Sequence, residues 1–154
     1  MYLNNSQSYI FAIILTFVVG FVACKKSSFS VSSVPYGTFI KLNAQEKVNF
    51  ENANSPRLTL EVTHIKDNFC PDHAQCITAG YAEVQVNVRE NEKENQTFSL
   101  YYGDYYGTPK RLGFKPDTVN VRLNDRGYQV ILRGIKKESE INGNLMAEIT
   151  LKQM

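Results

Sequence analysis

Residues 81–102 read YAEVQVNVRENEKENQTFSLYY, and their alternation decides the fold. Ala82, Val84, Val86 and Val88 occupy every second position, and so do Phe98, Leu100 and Tyr102. Successive side chains of a β-strand point to opposite faces, so this period marks two strands that each bury one face. Between them lies Glu90-Asn91-Glu92-Lys93-Glu94-Asn95, a charge cluster that reads as a solvated hairpin tip. Folding the chain about Lys93 sets Val84 against Tyr102, Val86 against Leu100 and Val88 against Phe98. All six apolar side chains then share one side of the sheet, as a hairpin with one buried face requires.

The same period recurs on both sides of this hairpin. Ile40, Leu42, Val48, Phe50, Leu58, Leu60 and Val62 precede it at even positions. Val119, Val121 and Leu123 follow at odd positions, then Tyr128, Val130 and Leu132, then Leu145, Ala147, Ile149 and Leu151. Folding about the turn 124–127 sets Leu123 against Tyr128 and Val121 against Val130. Folding about 139 and 140 sets Leu132 against Ala147 and Val130 against Ile149. No window beyond the N-terminus has a helical three-four repeat. The fold expected is all-β: a single antiparallel β-sandwich, or small barrel, of about 7–8 strands spanning 37–154. The 154 residues suit one such domain, and no internal repeat is visible. Seventeen basic against fifteen acidic side chains leave a formal charge of +2, too little for a nucleic-acid binder that must neutralise phosphates.

Residues 1–23 contain no Lys, Arg, Asp or Glu. From Tyr9 to Ala23 the chain reads YIFAIILTFVVGFVA, broken only by Thr16 and Gly20. A membrane-spanning helix needs about 20 apolar residues and an export-signal core about 7 to 15, so the length favours a signal peptide. No basic residue precedes the apolar core, which departs from the usual signal pattern. An uncleaved anchor helix is the other reading.

The segment ends Phe21-Val22-Ala23-Cys24, followed by Lys25, Lys26, Ser27 and Ser28. It resembles a bacterial lipobox, with Phe21 where Leu is usual. The Cys-Lys-Lys start is similar to that of lipoproteins of the Bacteroidota. The resemblance implies cleavage before Cys24, a diacylglyceryl thioether on its sulfur and an acylated amino group. Residues 24–36 would then be a lipidated, flexible tether to a membrane of the bacterial envelope. The basic pair after the Cys, in place of an acidic run, leans towards a periplasmic domain over outer-surface display.

With Cys24 lipidated, Cys70 and Cys76 remain as an even pair in an oxidising compartment, which predicts a disulfide fixing a small loop. A zinc site from Cys70, His73 and Cys76, with His64, is the sharper alternative, but zinc wants four ligands and only one such cluster exists. The Asp67-Asn68-Phe69-Cys70-Pro71 run, followed by Cys76-Ile77-Thr78-Ala79-Gly80 and a strand of alternating Val, resembles a pattern in small exported bacterial proteins. That pattern has Cys-x-Trp-Ala-Gly, with Thr78 here in place of Trp. The resemblance implies a secreted β-rich domain without implying an activity.

At the open end of the 81–102 hairpin the Cys loop, residues 65–80, enters, and the segment 103–117 leaves. Continuing the register places Tyr81 near Tyr105. Long loops on a rigid sheet are where binding sites usually sit. The candidate surface is Tyr101, Asp104, Tyr105, Tyr106, Lys110, Arg111 and Phe114 together with the Cys ring. Tyrosine offers broad contact with a polar handle, which suits a protein or an envelope glycan. The same rings could instead cap the core. Catalysis finds little support, and no catalytic residue, metal or cofactor is expected. His64 continues the inward parity of Leu58, Leu60 and Val62, and there is no nucleophile elbow, zinc-protease motif or phosphate loop. Asp67 and Asp72 flank the ring as possible calcium ligands or, more commonly, turn formers. Two functions follow: a lipid-tethered binding or structural domain, or a small enzyme or metal protein centred on His64, His73 and the Cys70–Cys76 loop.

Overall fold

Alternating β-branched and aromatic residues do build strands throughout the computed structural model, which describes residues 33–90, 94–105, 114–137 and 144–154. The described residues hold nine strands and no helix: β1 (Ser33–Val34), β2 (Phe39–Leu42), β3 (Lys47–Phe50), β4 (Leu58–Phe69), β5 (Gly80–Glu90), β6 (Glu94–Gly103), β7 (Asp117–Leu123), β8 (Arg126–Lys137) and β9 (Leu145–Gln153). One sheet has the order β1-β3-β4-β5-β6 and the other β2-β9-β8-β7. Their inner faces pack as a sandwich over Phe50, Leu58, Leu60, Val84, Val86, Leu100, Leu123, Tyr128, Leu132, Ile149 and Leu151. Each fully buried Leu or Ile contributes about 1.5–3 kcal/mol over leaving it in water.

The architecture is the sandwich expected, with two differences. β1 pairs parallel to β3, through Ser33 with Asn49 and Val34 with Phe50, so the first sheet is not wholly antiparallel. That strand also lies inside the stretch read as tether. Tyr36 packs against the core between the rings of Phe50 and Tyr128, each 6.0 Å away, and its hydroxyl donates to the Pro56 carbonyl at 2.8 Å. The two-residue β1 offers too little periodicity to be seen in the sequence. The signal segment and Cys24 lie outside the described residues.

The three hairpins form with the expected faces but not the expected pairings. Val84 faces Leu100 and Val86 faces Phe98. Val121 faces Tyr128, and Val119 faces Val130. Leu132 faces Ile149, and Val130 faces Leu151. Each register is two residues from the one predicted, which keeps every side chain on its face. The second turn shows why. Asn124 and Asp125 both take positive φ, 44° and 61°, in a two-residue turn that leaves Arg126 and Gly127 within β8.

Two long strands carry bulges. In β4 the ladder shifts between Val62 and His64, with Thr63 as the extra residue. Beyond it the parity inverts. His64 faces solvent opposite Gln85, and Ile65 takes the inward place opposite Val84. The inward His64 read from the sequence is therefore corrected, because a bulge re-aims every later side chain. In β8 the shift falls between Leu132 and Gly134, and Arg133 turns out to donate from Nε to Thr150 Oγ1 at 2.9 Å. The hairpin tip also differs from a wholly solvated cluster. Glu90 is only 4% exposed, because it keeps the inward parity of β5 and is covered by Arg126, 3.5 Å away on β8.

Candidate functional site

The described parts of the two candidate loops meet at one pole of the first sheet. β4 runs on to Phe69 and β5 starts at Gly80, so the Cys loop is shorter than expected, 70–79. Cys70 and Cys76 are joined as a disulfide. The Cys70 N–H donates to the Ala79 carbonyl at 2.9 Å, closing the base of the loop. Ala74 N–H donates to the Pro71 carbonyl at 3.0 Å, turning its tip. The loop is thereby held rigid while Ile77 stands fully in solvent.

Gly103 explains how closely the second segment approaches. Its φ is +112°, and a Cβ there would stand 2.5 Å from the Gly80 carbonyl oxygen and 2.9 Å from Tyr81 Cα. Only glycine fits that approach. Asp104 then donates its N–H to the Gly80 carbonyl at 2.8 Å, locking the start of the segment onto β5.

Around this junction the aromatic side chains form two groups, one on each face of the sheet. On the outer face Tyr101 stacks on Tyr105 with centroids 4.2 Å apart, and Tyr81 meets Tyr105 edge-on at 4.6 Å. The expected proximity of Tyr81 and Tyr105 is thus observed. Burial holds the Tyr101 phenol above its ordinary ionisation range, helped by the nearby Glu83 carboxylate. Glu83 accepts from Ser99 Oγ at 2.8 Å. On the inner side Phe114 stacks on Phe69 at 6.4 Å and meets Tyr102 edge-on at 5.7 Å. Tyr102 packs against the core, so it serves as a cap, while Phe114 remains 57% exposed. Asp117, at the boundary of the second loop, accepts the Tyr101 N–H at 2.9 Å and so ties β7 to the edge of β6.

Among the predicted site residues, Tyr101 and Tyr105 are brought together on the outer face beside Asp104, while Phe114 lies on the other face against Phe69, next to the Cys ring in the chain. Tyr106, Lys110 and Arg111 lie outside the described residues. His64 and His73 are both exposed, and the two sulfurs are bonded to each other, which leaves neither as a thiolate ligand. No group of three His, Cys, Asp or Glu side chains is placed to hold a metal among the described residues.

A feature the sequence reading missed lies on the inner side of this pole. Two grooves open along β4, one of about 320 Å³ lined by Asn43, Ala44, Ile65, Asp67, Asn144 and Leu145. The other, of about 420 Å³, is bounded by Asp67, Phe69, Cys70, Pro71, Asp72 and Lys137. Asp67 borders both: the first lies towards the β2–β3 turn and the start of β9, the second towards Lys137 at the end of β8. Its Oδ1 accepts the Phe69 N–H at 2.9 Å. The bulge at Thr63 gives Asp67 the inner-face parity of β4, opposite Ala82, though it stays exposed near the strand's end, and nothing in the residue pattern marks that bulge.

The chain matches no family model, no curated protein and no solved structure.

Proposed function

We propose that this chain is a lipid-anchored, non-catalytic domain of the bacterial envelope that recognises another envelope component through the pole carrying the Cys ring and the tyrosine stack. The anchor reading rests on residues 9–24, whose apolar run ends at Cys24 in a lipobox-like sequence. One acyl chain holds a protein marginally, and two or more hold it stably. The recognition reading rests on one observation above all. A disulfide-held loop with a solvent-exposed Ile77 and the Tyr81, Tyr101 and Tyr105 rings converge on a rigid sheet. Preordered aromatic side chains on rigid strands lose little entropy when they bind. The Tyr101 and Tyr105 faces already cover one another, so their edges and hydroxyls are the contacts on offer, which favours a polypeptide partner over a stacked sugar ring.

Site-specific photo-crosslinking in cells tests this. A photoreactive residue at Ile77 or Tyr105 is expected to trap a discrete partner, whereas one at Gln129 on the opposite sheet is not. Equal trapping at all three positions, or none at the pole, refutes the assignment of this surface.

A further inference from the structure

β4 outruns its neighbour. Residues 58–61 are paired on both sides, with β3 and with β5. Past Thr63, β5 is the sole ladder partner of β4 among the described residues. The shared part ends where Gln45 N–H donates to the Val62 carbonyl at 2.6 Å and Val62 N–H donates to the Glu46 carbonyl at 3.0 Å.

Backbone phase then follows from one bond. Cys70 N–H donates across to Ala79, on the β5 side. Amides alternate along an antiparallel strand, so residues 64, 66 and 68 face β5 while Ile65, Asp67 and Phe69 turn N–H and C=O to the open side. The Phe69 N–H is met by the Asp67 carboxylate. Ile65 and Asp67 have no backbone partner on that side among the described residues. An open edge of this kind is a template for one more strand.

The two grooves lie along the same edge, one on each side of Asp67. Their walls supply what a specific guest needs: an apolar floor at Ile65 and Phe69, carboxylates at Asp67 and Asp72, and Lys137 opposite. Asp67 stands at the middle, bordering both grooves, with one oxygen held by Phe69 and the other unengaged among the described residues. Two carboxylates against one ammonium favour a basic side chain in the grooves over an acidic one.

We infer that residues 65–69 of β4 take an extended segment of another polypeptide as an added strand, with a basic side chain seated at Asp67. The inference rests on the reading of this pole as the recognition surface and names its partner class. Main-chain pairing with Ile65 and Asp67 would supply affinity, and the grooves would supply sequence preference.

The test uses the full chain in detergent micelles, with amide exchange read by NMR. The probe is a hexapeptide of alternating Thr and Lys. Its controls are the same peptide N-methylated on the pairing amides and a version with Glu for Lys. The Lys peptide is expected to slow exchange at Ile65 and Asp67 at least about tenfold, an effect that N-methylation abolishes. Asp67→Lys, a change at an exposed position, is expected to reverse the preference towards the Glu peptide. Four results overturn the inference. The N-methylated peptide binds equally well; the two amides are already slow without peptide, so another segment of this chain covers the edge; or protection grows with protein concentration alone, so the occupant is a second copy. Absence of any peptide effect also overturns it, while crosslinking from Ile77 and Tyr105 would leave the broader assignment of the pole standing.

Discussion

Tyr128 heads the fully buried side chains by volume, and its hydroxyl has no hydrogen-bond partner among the described residues. Burial raises the ionisation of this phenol above the ordinary value of 10.0, and the same cause raises that of Tyr36 beside it. Arg126 and the Tyr36 hydroxyl lie near it without making a bond of good geometry, so its desolvation is poorly offset. Tyr128→Phe is therefore expected to leave stability at neutral pH unchanged or raise it by up to about 1 kcal/mol, measured by urea unfolding. The pH dependence has a definite sign. An acid whose folded pKa lies above its unfolded one keeps its full contribution below pH 10 and loses it as pH climbs towards the folded value. Alkaline unfolding is thus expected to steepen above pH 10, and less so in Tyr128→Phe. Glu90 offers the opposite case. Its carboxylate is buried, one oxygen lacks a partner, and Arg126 is the cation beside it. Arg126→Met would leave that charge uncompensated. The guanidinium is half exposed, which dilutes the effect to about 1–3 kcal/mol of lost stability by the same measurement. The inward place of Tyr128 was legible from its parity. The burial of Glu90 is not legible, because a charged residue at a hairpin tip is ordinarily solvated and its cover arrives from the other sheet.

At the scale of elements, the sequence carried parity far better than register. Alternation of Val84, Val86 and Val88 states which face is buried, since a slip of one residue would expose the whole set. A slip of two changes only which inward side chains meet, and Val, Leu and Phe are nearly interchangeable in that role. Register is decided in the turns, and those signals were weaker. Asn124-Asp125 makes the tight turn without the glycine that usually advertises one, and Gly127 drew the reading to a longer loop. Bulges are weaker still, for Thr63 looks like any strand residue, yet it reverses His64 and Ile65 and creates the grooves along β4. The turn makes the argument testable. Asp125 sits at φ 61°, a conformation that costs an L-residue and not glycine. Its ion pair with Arg122 spans 3.8 Å between exposed side chains and holds the turn weakly. Asp125→Gly is therefore expected to stabilise the fold by about 0.5–1 kcal/mol, seen as a higher urea midpoint at unchanged slope. A lower midpoint would mean that the exposed ion pair outweighs the backbone.

For the whole molecule, the sandwich divides labour between its margins. Along one margin, β6 and β7 of different sheets are joined without a ladder. Tyr101 N–H donates to Asp117, Gln96 donates to the Arg122 carbonyl at 2.9 Å, and Asn124 N–H donates to Glu94 at 2.8 Å. These bonds hide an edge that would otherwise recruit strands. Along β4 no such cover is present among the described residues, which is why the exposed edge reads as a site. The disulfide lies at that same pole, remote from the Tyr36, Tyr128 and Glu90 cluster, so reducing it should loosen the ring and leave the core intact. Closing so small a loop is worth about 2 kcal/mol on the chain-entropy account. Both sulfur chemistries can be read together. Intact mass of protein extracted from membranes is expected to begin at Cys24 and to carry acyl chains, and reduction should add the mass of two hydrogens. Cys24→Ala is expected to remove the acyl chains and with them the cleavage before residue 24, so the protein accumulates as a precursor that still carries the apolar run 9–23. Its near-ultraviolet circular dichroism is expected to be unchanged, because the described sandwich starts at Ser33, beyond the changed residue. Protein that still starts at Met1 with a free thiol at Cys24 would remove the export reading, and with it the reason for Cys70 and Cys76 to be oxidised in the cell.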